Sequence, residues 1–151
     1  MAITITTAMP TSFKVEILKA VHNFTASTGN TFKLALLKAT ASGSGTFGAA
    51  TTNYSDLGAD QLPTATGYTQ TGNTLVSATP VADSTTAICD FADTTWTSAT
   101  FTTCGGLIYN SSQSDKACAV LSFGGDQTVS SGDFAVQFPT AAAATAIIRI
   151  A

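Results

Sequence analysis

The chain has 151 residues, of which 10% are charged, 44% hydrophobic and 9% aromatic, and its formal net charge is −3. An ordinary soluble domain carries about 25% charged residues, so this surface has to be built from Thr, Ser, Gly, Asn and Ala, which suits packing against other protein better than ionic steering. The modest net charge gives no pointer to nucleic acid. No apolar run approaches the roughly 20 residues of a membrane-spanning helix, and one domain burying about 70% of its unfolded surface is the expected organisation.

Ala2–Thr7 alternates Ile3 and Ile5 with Thr4 and Thr6 and reads as a strand or an extended arm, residues 1–11, stopped by Pro10. It has no basic n-region and no continuous apolar core, so it does not read as a signal peptide. The next segment is helical. Phe13, Ile17, Ala20, Val21 and Phe24 form one stripe at helical spacing, which predicts a helix over 12–24 with Thr11 or Ser12 as its cap. Lys14 and Lys19 fall largely off that stripe.

Strand patterns follow. Phe32, Leu34 and Leu36 alternate within 31–38, and 41–50 is a Gly/Ser/Ala-rich stretch expected as a flexible loop. Turn formers fill 54–72. Strands are expected over 73–78 and 86–92, the second with Ala87, Cys89 and Phe91 on one side. Another covers 100–109, where Gly105-Gly106 marks a bulge or a close backbone approach. A turn over 110–115 leads to 117–123, whose lack of polar alternation predicts a central strand. Ser130–Asp133 reads as a tight turn. Phe134, Val136 and Phe138 then alternate up to Pro139, and 146–150 is a last strand. About seven or eight short strands with regular turn signals predict a mainly β protein: an antiparallel β-sandwich or jelly-roll-like domain over 12–151, with the helix covering an open end or docking on a neighbour.

Charge is uneven. Lys14, Lys19, Lys33 and Lys38 lie in the first quarter with Glu16 as the only acid there, whereas Asp56, Asp60, Asp83, Asp90 and Asp93 follow with no base among them. Head-to-tail pairing of subunits and scattered solvated charges both fit this pattern.

Groups that announce chemistry are scarce. Cys89, Cys104 and Cys118 match no zinc or redox spacing and read as buried free thiols, with one cross-strand disulfide as the alternative. His22 is the sole histidine and reads as a packing residue, and no thiol or hydroxyl has a partner for a triad. Neither a phosphate-binding loop, a dinucleotide fingerprint nor a zinc-protease motif occurs. Asp90 with Asp93, and Asp126 with Asp133, fit calcium-binding loops as a pattern, and equally fit turn aspartates bonded to their own backbone. Nothing in the pattern supports a glycosidase carboxylate pair, although turn aspartates are plentiful enough that sequence alone leaves it open. Trp96, Tyr54, Tyr68 and Tyr109 are available to stack on sugar rings, against a reading of Trp96 as a core or rim anchor. The sequence therefore assigns no catalytic residue, cofactor or metal, and predicts no enzyme.

One longer signature remains: Asp90-Phe91-Ala92-Asp93, Trp96-Thr97-Ser98-Ala99-Thr100, Gly106-Leu107-Ile108-Tyr109-Asn110, Ala119-Val120-Leu121-Ser122-Phe123-Gly124-Gly125-Asp126, Phe134-Ala135-Val136-Gln137-Phe138-Pro139 and Ala146-Ile147-Ile148-Arg149-Ile150. Ser12–Leu18, Phe32–Leu36 and Gly67-Tyr68-Thr69 precede it in order. Over most of its length the chain resembles a family of small structural proteins of tailed bacteriophages, in which other residues usually stand where this chain has Cys104. The resemblance carries no catalytic motif. It implies a virion protein made in the host cytoplasm, foremost a capsid decoration or cement protein that binds and stabilises the major capsid protein and assembles with copies of itself, commonly as a trimer, with no direct nucleic acid or membrane partner. Ile3 and Ile5 of the arm and Lys14 and Lys19 of the helix are the expected contact residues. A tail or fibre-associated virion protein, or a carbohydrate-binding attachment module, is the alternative.

Overall fold

A computed structural model describes all 151 residues. The protein is mainly β and sandwich-like, with nine strands and one short α-helix. The strands are β1 (Thr4–Ile5), β2 (Phe32–Leu36), β3 (Thr46–Phe47), β4 (Asn73–Thr74), β5 (Val81–Asp83), β6 (Thr86–Cys89), β7 (Thr94–Asn110), β8 (Lys116–Val136) and β9 (Ile148–Ile150), and the helix α1 spans Thr11–Leu18. They form a four-stranded antiparallel sheet in the order β4-β2-β7-β8, a three-stranded antiparallel sheet β5-β6-β9, and a short parallel pair β1-β3.

The apolar runs of β2 and of the facing parts of β7 and β8 have a direct cause. One face of the four-stranded sheet, with Phe32, Leu34, Leu36, Ile108 and Cys118, packs on Cys89 and Ile148 from the second sheet and on Phe13, Phe24 and Phe91. The other face, with Ala35, Leu37, Leu107, Tyr109, Ala117 and Val120, is covered by Ile3, Phe47 and Leu57. A strand buried on both faces has no polar side to alternate with. This also corrects the expected central position of 117–123. β8 is an edge strand in the hydrogen-bonding order. It lacks polar alternation because both faces are covered and because other segments close its outer edge there: the Ala8 and Val120 backbones exchange hydrogen bonds of 3.0 and 2.9 Å, and the Ala117 N–H donates to the Thr52 carbonyl at 3.0 Å.

Residues 1–11 are not a separate arm. The N–H groups of Ile3, Thr4 and Thr6 donate to the Thr40, Gly45 and Phe47 carbonyls at 2.8, 2.9 and 2.9 Å, and Ile3 is buried. Segment 41–50 is likewise held in place, since it carries β3 and the Asp60 carboxylate accepts the Ser44 and Gly45 N–H groups.

The helix is shorter than its apolar stripe. It ends at Leu18, and Ala20 takes a left-handed φ of 55°. The Ala20 N–H donates to the Ile17 carbonyl and the Val21 N–H to the Glu16 carbonyl, both at 3.0 Å. These are the paired bonds of a Schellman stop. Phe24 still reaches the core, stacked 4.3 Å from Phe32, but from an irregular segment. Neither Thr11 nor Ser12 caps the helix. Pro10 occupies the cap position with no side-chain bond, and the Ser12 hydroxyl is buried without a partner.

The expected turn at 130–133 is absorbed into β8. Between the pairs Ala99↔Gly132 and Phe101↔Val129, β8 carries one residue more than β7, and Ser131 adopts φ 51°. The turn-forming residues therefore make a bulge inside a continuous ribbon. At Gly105-Gly106 both expected features occur. The register shifts beside Gly105, and a Cβ on Gly106 would lie 2.7 Å from the Ala35 carbonyl oxygen.

Two stability changes are expected in urea unfolding. Ala20→Gly should stabilise the protein by about 0.5–1 kcal/mol, because glycine takes the left-handed stop without the Cβ penalty. Gly106→Ala should destabilise it by about 1–3 kcal/mol, because rigid backbone of β2 has to move away.

Candidate functional site

Helix α1 faces two ways. Phe13 is buried and Ile17 half-buried beneath it, whereas Thr11, Lys14, Val15 and Leu18, at offsets of three, four and seven, are exposed along one outward stripe. Leu18 is 88% and Val15 45% exposed, and Lys19 continues the surface past the helix end. The result is a basic and apolar strip on a rigid element. Of the four expected contact residues, Lys14 and Lys19 lie on this strip. Ile3, at 5% exposure, faces the core, and Ile5 is half-buried against the same cluster. The structure thus removes Ile3 from any surface.

A buried polar chain holds the helix in this orientation. His22 Nε2 lies 2.9 Å from Glu16 Oε2, and Lys116 Nζ donates to Glu16 Oε1 at 2.7 Å. On the other side of the imidazole, Asn110 Nδ2 lies 2.9 Å from His22 Nδ1 and also donates to Asn30 Oδ1 at 2.9 Å. Asn110 Oδ1 accepts the Ser112 N–H at 3.1 Å. That last bond orients the amide, so the nitrogen of Asn110 faces the ring. Nδ1 of His22 must then accept, and the ring proton sits on Nε2 and donates to Glu16. Protonating Nδ1 would set two donors against each other. Burial pushes the His22 pKa below its usual value, more strongly than the Glu16 carboxylate pulls it up. Burial pushes the Glu16 carboxyl up, but the bonds and charges of Lys116 and His22 outweigh it, and the net shift is downward.

Cys118 Sγ lies 3.9 Å from His22 Nδ1, so a thiol, an imidazole and a carboxylate stand in sequence. Sequence spacing gave no sign of this, because the three residues come from α1, the segment after it and β8. The Cys118 thiol is fully buried, and burial raises its pKa. A reactive thiol requires the opposite environment. All three cysteines are buried and free. Burial raises Cys89 to about 12 and moves Cys104 upward as well.

The aspartates of the two calcium-like groupings each accept backbone N–H groups. Asp90 takes that of Phe91, Asp93 that of Phe138, Asp126 that of Thr40 and Asp133 that of Ser98. No cluster of three or more His, Cys, Asp or Glu side chains is placed to hold a metal ion. Trp96 is 3% exposed between Tyr68 and Phe134, so its ring faces are not open to a sugar. Tyr68 and Tyr109 are buried and Tyr54 is half-buried against Tyr109. No helix is long and apolar enough to cross a membrane.

His22 is the only histidine, which makes its linkage measurable. Its folded pKa lies below the unfolded value near 6.5, so the unfolded chain binds the extra proton and stability falls as pH drops below that value. Glu16, lowered from 4.5, adds to the loss at more acidic pH. Thermal or urea unfolding between pH 7.5 and 5 should show stability falling by at most about 1.4 kcal/mol per pH unit. His22→Gln should be less stable at pH 7.5 and nearly flat across that window.

Comparison with known protein families, with curated proteins and with solved structures finds no match.

Proposed function

We propose that this protein is a structural component of a bacteriophage particle, a capsid decoration or cement protein that docks on the major capsid shell through the outward strip of α1. The sequence signature running from Ser12 to Ile150 supplies the virion context. The observation that carries the docking reading is the strip itself. Leu18 is, after Met1, the most exposed large apolar side chain of the molecule, and the exposed Val15, Lys14 and Lys19 stand beside it. The Glu16–His22–Asn110 chain beneath keeps the helix in one pose, which reduces the ordering cost of binding.

The physics suits a repeated contact. Covering a side chain such as Leu18 contributes about 1.5–3 kcal/mol. Lysines flanking it favour an acidic partner surface, mainly through the rate and register of docking. A low charge content elsewhere leaves few ionic groups to oppose close packing among neighbours on a crowded shell.

The test is rebinding of purified protein to particles lacking it, read by co-sedimentation. Leu18→Ser should weaken binding about tenfold, the equivalent of about 1.4 kcal/mol. Lys14→Glu with Lys19→Glu should weaken it further and abolish its salt dependence. Undiminished occupancy by both variants would overturn the docking reading. Copy number in intact particles separates shell from tail, since a decoration protein is present on the scale of the shell's own subunits and a tail component in a few copies.

A further inference from the structure

We infer that two copies of this chain pair edge to edge through residues 133–137 of the β8 ribbon, about a twofold axis at Ala135. The inference goes beyond the capsid reading and does not need a particle.

Over Thr94–Thr103 and Gln127–Val136, β7 and β8 form a ribbon in which β8 has no neighbour on its outer side. The protection that Ala8 and Thr52 give the first part of β8 stops before this region. Directions of the backbone groups follow from one bond. The Phe138 N–H turns toward the β7 side, donating to Asp93 Oδ1 at 2.8 Å. Successive residues of an extended strand turn their N–H and C=O to opposite sides. Phe134, Val136 and Phe138 therefore face β7, and Asp133, Ala135 and Gln137 turn both backbone groups outward. None of those three residues has a backbone bond to a loop, a cap or a side chain. What fits there is another strand.

The sequence of this stretch suits a second copy. About a twofold at Ala135, antiparallel pairing sets Ala135 against its own counterpart and Asp133 against Gln137 on either side. Asp133, whose Oδ1 accepts the Ser98 N–H of its own chain, then sits across from the Gln137 amide, and no like charges oppose. Between the bulge at Ser131 and Pro139 the stretch has neither a lysine nor a proline, the usual devices that keep an edge from pairing. The bulge itself limits the contact to residues beyond it. An open cleft of about 490 Å³ runs along this edge, lined by Leu121, Phe123, Phe134, Val136, Phe138 and Ile147, and a second strand would lie over it. Pairing also joins the two ribbons, each already packed on its own core through Trp96 and Phe101, into one continuous four-stranded sheet.

Sedimentation equilibrium of the full chain should give a dimer mass. Hydrogen exchange should show protection of the Ala135 and Gln137 amides that is lost on dilution. Ala135→Lys brings two lysines together at the axis on an exposed side chain and should raise the dimer dissociation constant at least tenfold with the unfolding temperature of the monomer unchanged. Ala135→Pro removes an N–H that bonds only across the axis and should do the same. Should the proline variant fail to fold, the lysine variant and the exchange data still decide. A monomer at high concentration, a trimer, a dimer in which the Ala135 amide exchanges freely, or a dimer indifferent to Ala135→Lys would each overturn the inference while leaving the capsid reading standing.

Discussion

β2 and the adjoining parts of β7 and β8 bury side chains on both of their faces, and most other elements are placed by the need to cover them. The three-stranded sheet and the aromatic residues around Phe24 and Phe32 take one side. Ile3, Phe47 and Leu57 take the other. This demand draws the N-terminal segment inward, where it hydrogen-bonds to Thr40, Gly45 and Phe47. It also accounts for a chain with so few charges: a sheet covered twice consumes apolar residues, and the thin layer outside is finished with Thr, Ser, Gly and Ala.

Covering the sheet leaves one polar seam, where α1 and the segment after it meet the ends of β7 and β8. A buried imidazole there is tolerable only if both ring nitrogens have partners. Glu16 and Asn110 provide them, and Lys116 and Asn30 satisfy those groups in turn. The seam pins the helix, fixes the histidine tautomer and forces the chain out of helical geometry after Leu18, because a continued helix would carry His22 away from Glu16. The outward strip of α1 is thus a consequence of what lies under it. So is the unreactive state of Cys118, which sits beside an imidazole but in surroundings that favour the thiol.

Outside this core the β7–β8 ribbon is differently exposed. Its β7 strand is packed against Tyr68 and Phe134 through Trp96 and Phe101, while the outer side of β8 meets water. The two surfaces that stand out, the α1 strip and the free ribbon edge, use different chemistry. One offers apolar side chains flanked by lysines. The other offers backbone hydrogen-bonding groups, for which another extended segment can replace water.

Much of the local order was readable from the residues. The alternation Phe32, Leu34, Leu36 and the spacing Phe13, Ile17 point to faces that are in fact inward, and Gly105-Gly106 marks a real close approach. Three buried cysteines without a metal spacing are free thiols. These features follow from nearest-neighbour sterics and from the periods of helix and strand, which a sequence carries directly. What it did not carry was any property set by residues far apart. Ser131 reads as a turn, but pairing with β7 holds it in a bulge. Ile3 reads as part of an arm, but a bare sheet face needs it. The stripe through Phe24 reads as one helix, but a bond network joining His22 to Asn110, 88 residues away, stops it early. Composition and periodicity by themselves determined the β class and most of the core-forming residues, because those depend on local conformation and burial tendency. Tertiary structure alone decided where the helix ends, which strip of it faces out and which strand edge stays open, because each depends on hydrogen-bonding partners that only the folded chain brings within 3 Å or so of one another.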